Sequence, residues 1–308
     1  MFRQYFNVIC AFLVLISLFS CKSTKQVADT KQNSDIVVSD GKSLLWKITS
    51  PQQETPSYLF GTIHLIGTED FFFGTHIENL IKNASKVVLE LDVTNIDIAA
   101  LTNQGLLPDN KTVKDFISEE DYQILLNFMV DSVGIGKSSF ESAYARMKPL
   151  FLEQMLVYKF LGDNPQSYES EIIDMIEFKG TPIEGLETFN EQLDFINQIP
   201  LERQFADLME SMKDFGKTRK DFSELLDLYK DQDIEKLSDA INKEFKDDTT
   251  YQHLLLNKRN DNWIPKIEDY ISEGNVFIAV GAGHLTGENG LIELLKKKGY
   301  KLEPIYMD

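Results

Sequence analysis

Short apolar runs alternate with longer amphipathic stretches along this chain. Runs bounded by Gly, Pro or Asn predict strands at Leu44–Ser50, Ser57–His64, Lys86–Asp92, Thr181–Leu186, Asn275–Gly281 and Lys301–Met307. The most continuously apolar of them read as strands buried on both faces, as in parallel sheets. Helical spacing covers Thr75–Ser85, so the segment from Ser57 to Asp92 reads as strand, helix, strand. The stretch from Ser118 to Lys179 reads as helical throughout, with Pro149 stopping one helix near Lys148 and opening the next. In "ETFNEQLDFINQI", Thr188 and Glu191 form a capping-box pattern. Helical periodicity resumes from Leu201 to Ile271, with breaks expected near Gly216, Asp231 and Asp247. A last helix, Glu288–Gly299, carries lysines in its final turn and stops at a glycine. The predicted fold class is α/β: an open sheet with parallel strands at both chain ends of the domain and a large helical insertion over about 118–272.

The N-terminus departs from this pattern. Residues 1–20 hold one basic residue, Arg3, and an apolar core of about a dozen residues, shorter than the roughly 20 needed to span a bilayer, which reads as a secretory signal. Cys21 follows a small residue, as in the lipobox of bacterial lipoproteins, and the resemblance implies cleavage before it and a lipid on its sulfur. Residues 21–43 are polar and too poor in large apolar groups to offset their ordering entropy, so they read as a tether, with the folded unit at 44–308. With Cys10 removed, Cys21 is the one remaining cysteine and no intrachain disulfide can form. The expected location is the cell envelope, at the outer membrane facing the periplasm, by analogy with enteric sorting of a lipoprotein with Lys22 after its cysteine. The net charge of −18 argues against nucleic-acid partners. The oligomeric state is not legible.

Candidate chemistry lies at strand ends. The chain has four histidines, and two recur in one arrangement: "YLFGTIH" places His64, and "VFIAVGAGH" places His284, three residues beyond a glycine that ends an apolar run. Glu90 and Asp92 end "KVVLELD", and Glu187 follows "PIEGL". Ligands of open α/β sheets sit outside the carboxyl ends of parallel strands, so these residues are expected to converge, with Gly61, Gly281 and Gly283 allowing tight turns. Two imidazoles and a carboxylate suit a divalent metal, whose bound water can ionise near pH 7. They suit equally a metal-free acid and base pair, with Glu90 orienting one ring. His76 and His253 fall in helical stretches and read as structural or surface residues. Taken alone, Arg259 in "KRNDNW" reads as a surface arginine beside a core Trp263, and "FFF" at Phe71–Phe73 reads as core or packed loop, with a ligand pocket as the other possibility. The chain lacks G-x-S-x-G, P-loop and H-E-x-x-H motifs.

The motifs "YLFGTIHLIG", "KVVLELD", "IEGLETFNEQL", "KRNDNW" and "VFIAVGAGHLTGENGLIELLKKKGY" together resemble the TraB/PrgY/GumN/TIKI family, over about Trp46 to Pro304. The family is similar, more distantly, to erythromycin esterases and haem-binding ChaN-like proteins. The resemblance implies a metal-dependent hydrolase, of peptides or of a small molecule, with Mn²⁺ or Co²⁺ and possibly Zn²⁺ as cofactor. By motif match it implies His64, Glu90 and His284 as metal-binding and catalytic residues, with Arg259 for an oxyanion or a substrate carboxylate. Glu187 and Asp92 stand in support. The alternative it leaves open is an envelope lipoprotein that binds haem or a peptide without turnover.

Overall fold

A computed structural model describes residues 42–51, 53–91, 103–162, 164–245 and 249–307. The signal, Cys21 and the tether up to residue 41, with Asp92 and the break expected at Asp247, lie outside the described residues.

Six strands form one sheet: β1 (Leu45–Thr49), β2 (Ser57–Thr62), β4 (Lys86–Leu91), β6 (Ile183–Glu187), β7 (Val276–Gly281) and β8 (Lys301–Ile305). Their order is β6-β4-β7-β2-β1-β8. The run β6-β4-β7-β2 is parallel, while β1 pairs antiparallel with both β2 and β8. The expectation of parallel strands at both chain ends therefore fails at β1. A short turn links β1 to β2, and so short a link can join only antiparallel neighbours. β7 inserts between β2 and β4, two strands met far earlier in the chain. The parallel register sets Thr62 beside Gly281 and Leu91 beside Glu187, which brings the carboxyl ends of four strands to one rim.

Helices α1 (Thr75–Asn83), α2 (Glu119–Asn127), α3 (Pro149–Leu161), α4 (Tyr168–Glu177), α5 (Phe189–Asn197), α6 (Leu201–Lys213), α7 (Phe215–Lys230), α8 (Ile234–Phe245), α9 (Lys258–Glu273) and α10 (Leu291–Lys297) surround the sheet. Strand alternation divides the core between its faces. Val276, Ile278 and Val280 of β7 pack with Trp263, Ile264, Ile267 and Ile271 of α9 and with Leu291 and Leu295 of α10. Phe277 and Ala279 turn to the other face, toward Ile77 and Ile81 of α1 and Tyr168, Ile172 and Ile176 of α4. The insertion has a core of its own, where Leu125, Met129 and Leu152 meet Phe205, Leu208 and Met212.

The stretch 118–179 is not helical throughout. A two-residue strand, β5 (Gln166–Ser167), pairs with β3 (Leu65–Ile66) directly after His64. Gly134 and Gly162, both at positive φ, end the segments preceding the loops there. The break expected near Gly216 falls at Asp214, whose side chain caps α7 by accepting from Lys217 N–H, so Gly216 lies inside that helix. The Thr188–Glu191 capping box forms as the pattern predicts, with both reciprocal bonds present.

Candidate active site

His64, Glu90, Glu187, Arg259 and His284 meet at the rim of the parallel strands, each no more than 5 % exposed. β2, β7 and β4 are neighbours, so His64, His284 and Glu90 arrive from three adjacent strands although the chain separates them widely. His64 Nε2 lies 3.8 Å, and His284 Nε2 3.7 Å, from the same oxygen, Glu90 Oε1.

The glycines act by allowing close approach, since none of Gly61, Gly281 and Gly283 has a positive φ. A Cβ on Gly281 would stand 2.8 Å from His64 Nε2 and 3.1 Å from Glu90 Oε1, and one on Gly61 would stand 2.6 Å from Leu285 Cδ1. Gly283 sits in the single 3₁₀ turn Ala282–His284. The residue in the left-handed region is His64 itself, at φ 60°. That conformation costs a non-glycine residue about 1–2 kcal/mol. The β3–β5 pairing that follows and the bond from Tyr168 N–H to the His64 carbonyl, 3.0 Å, hold the turn in place.

The surroundings push the two rings in opposite directions. His64 Nδ1 meets Glu169 Oε1 at 2.7 Å, and Thr62 Oγ1 donates to the same oxygen at 2.8 Å. Burial pulls the His64 pKa down, but the Glu169 carboxylate beside it, with Glu90 behind, wins and leaves it above the ordinary value. Burial likewise opposes Glu169's charge, and the His64 imidazolium outweighs it, so this carboxyl is held below its ordinary value. His284 Nδ1 donates to Asn260 Oδ1 at 2.7 Å, an amide orientation set by Asn260 Nδ2 donating to the carbonyls of His284 and Asn289. Its Nε2 accepts from Arg259 Nη1 at 3.0 Å, and the Trp263 ring lies 4.4 Å from its own, centroid to centroid. Burial, with Arg259 and then His64 nearby, pushes His284 well below the ordinary histidine value, so it is neutral.

Arg259 organises the centre. Its Nη2 donates to Glu90 Oε2 at 2.8 Å and to Glu187 Oε1 at 2.6 Å, its Nε reaches both Glu187 oxygens, and its Nη1 also donates to the Leu255 carbonyl. Trp263 Nε1 donates to Glu187 Oε2 at 3.1 Å. Burial, despite Arg259, raises the Glu187 carboxyl above its ordinary value. The surface reading of Arg259 is therefore wrong: its side chain crosses from α9 into the core because two buried carboxylates there need a counter-charge. Trp263 is buried in the core as expected.

Sequence reasoning missed Glu169 and Thr62. Thr62 sits within the "FGTIH" motif, but Glu169 opens α4 in a stretch read as uninterrupted helix, and only recognition of β5 would have singled it out. His253 is exposed and His76 half-buried, in line with their bland reading. Phe71, Phe72 and Phe73 pack against Tyr168 and Tyr229, so they line core, not a pocket.

The arrangement does not fit a metal ion. Among the described residues no three His, Cys, Asp or Glu side chains are placed to hold one. A metal needs imidazoles with free lone pairs, and here the His284 Nε2 lone pair is taken by Arg259 while His64 Nδ1 is bound to Glu169. The Gly281 N–H donates to Glu90 Oε1 at 2.6 Å, and Arg259 donates to Oε2. A cavity of about 650 Å³ lies in the insertion between Phe116 and Lys217 and touches none of these residues. A cavity of about 240 Å³ adjoins the centre, with Asn260 and Gly283 in its wall.

A family model described as the TraB/PrgY/gumN family matches residues 44–304. Among curated proteins, Metalloprotease TIKI2 of Danio rerio is 22% identical over 94% of this chain and 67% of its own length. Metalloprotease TIKI1 of Xenopus tropicalis is 23% identical over 94% of this chain and 66% of its own. Uncharacterized protein YbaP of Shigella flexneri is 23% identical over 78% of this chain and 88% of its own. The chain thus spans about two thirds of the length of the TIKI relatives. No solved structure matches this chain. The family match runs through every strand of the sheet and each of the rim residues described above, and the chain belongs to the TraB/PrgY/gumN family.

Proposed function

We propose that this chain is a hydrolase of amide bonds, peptide bonds first among them, held at the cell envelope by a lipid on Cys21. The observation that carries the reading is the pair of imidazoles whose Nε2 atoms stand 3.8 and 3.7 Å from a single oxygen of Glu90. A carboxylate beside an imidazole supplies the base and the acid that acid–base chemistry requires. The relatives named metalloproteases support the reaction class. The expectation of Mn²⁺ or Co²⁺ rests on the resemblance and on that name, and the residues as arranged give no seat for either ion. Among the described residues no helix is long and apolar enough to cross a membrane.

In this reading water attacks the amide carbonyl carbon and yields its proton to Glu90 Oε1. His64 Nε2 gives its proton to the departing nitrogen as the C–N bond breaks, and the proton on Glu90 then returns to His64. Arg259 and the Gly281 N–H keep Glu90 fixed, and Arg259 balances the developing oxyanion. His284, neutral and held by Asn260 and Trp263, positions Arg259. Substrate arrives by way of the cavity behind Asn260.

Digestion of a peptide library by the purified full chain, with and without added Mn²⁺ or Co²⁺ and read by mass spectrometry, tests this. Cleavage by the wild type that falls by about a hundredfold or more in His64→Ala is expected, the usual size of a lost proton donor. No cleavage by the wild type under either condition would refute it.

A further inference from the structure

Arg259 stands where a bound cation would stand. Its two terminal nitrogens reach His284 Nε2 at 3.0 Å and Glu90 Oε2 at 2.8 Å, two of the three groups that the family resemblance assigns to a metal. His284 has no second nitrogen to offer, because Nδ1 is bound to Asn260 Oδ1 at 2.7 Å. A guanidinium and a divalent ion on the same donors repel strongly at this burial, where water screens little. Glu187 lies on the far side of the guanidinium, with both oxygens bonded to Nε and one also to Nη2. It forms a dock that keeps the charge paired if Nη1 and the Glu90 contact let go.

We infer that Arg259 is the site's resident cation and competes with divalent metal for His284 and Glu90, so that an ion binds only in a state in which the guanidinium has withdrawn onto Glu187. The inference rests on the reading of His64, Glu90 and His284 as the reactive site. In the arrangement described above, the protein's own arginine holds this donor set together. It also accounts for a donor set that resembles a metal site by sequence and does not form one in space.

Co²⁺ alone serves as the probe, in calorimetry and in the visible absorption of histidine-bound Co²⁺, on the full chain. Arg259→Gln removes the charge and is expected to bind Co²⁺ about tenfold or more tighter than wild type, with an absorption band that His284→Ala abolishes in the same background. Equal or weaker binding in Arg259→Gln, or no binding in either, would overturn the inference. Should circular dichroism show Arg259→Gln unfolded, the wild type decides alone. Titration with Zn²⁺ is then expected to move the Arg259 Nε–H resonance in step with the His284 ring nitrogens. A His284 shift with the Arg259 signal unmoved, or no shift at saturating Zn²⁺, would overturn it. Peptide cleavage is a separate readout, so the hydrolase reading and the competition can fail independently.

Discussion

At the scale of single residues, the buried pair of His64 and Glu169 has the clearest consequence. A buried ion pair broken by removing one partner typically costs about 3–5 kcal/mol, and Glu169→Gln leaves His64 without its main counter-charge. The pH dependence follows from the two directions of shift. His64 is raised in the fold, so its contribution is complete below its ordinary value of 6.5 and is lost as pH climbs through the folded value. Glu169 is lowered, so its contribution is present above its ordinary value of 4.5 and is lost as pH falls through the folded one. The stability gap between wild type and Glu169→Gln should thus be widest between those two values and shrink on either side. Urea unfolding across pH 3 to 9 measures it, and a gap independent of pH would contradict the pairing.

At the scale of elements, Gly216 offers a direct check on where α7 begins. The pattern of residues put a break there, yet Asp214 caps the helix and Gly216 lies in its first turn. A Cβ at Gly216 would meet nothing within 4 Å, and its φ is not positive. Gly216→Ala should therefore stabilise the protein by about 0.5–1 kcal/mol, the entropy a helical glycine forfeits. Destabilisation in the same unfolding assay would restore the break. β3 and β5 make the complementary point. Two residues each are too short for periodicity to register, yet they close the left-handed turn at His64 and set Glu169 against its ring.

At the scale of the whole molecule, the site is a product of sheet order. β7 slides between β2 and β4, and α9 lays Arg259 across the rim they form. With the net charge at −18, self-repulsion works against the compact state. Raising NaCl from about 10 mM to about 150 mM shortens the reach of that repulsion to about 8 Å. The melting temperature should rise by roughly 2–4 °C, the equivalent of about 1 kcal/mol for a chain of this size. A fall by calorimetry would mean that paired charges outweigh the excess.

Much was legible without coordinates. The apolar runs ending in Gly-Thr-Ile-His and Gly-Ala-Gly-His name two strands and the residues that leave them, because strand burial and glycine punctuation are local properties. For the same reason the Thr188–Glu191 cap and the α/β class could be read directly. The direction of β1, the burial of Arg259, the partnership of His64 with Glu169 and the engagement of His284 Nε2 could not. Each depends on which distant segments lie side by side, and a side chain's charge state and free lone pairs are set by those neighbours alone. Residue types alone therefore determined that two imidazoles and a carboxylate stand at the ends of strands. Tertiary structure decided which neighbours hold them: Arg259 on His284 and Glu90, and Glu169 on His64.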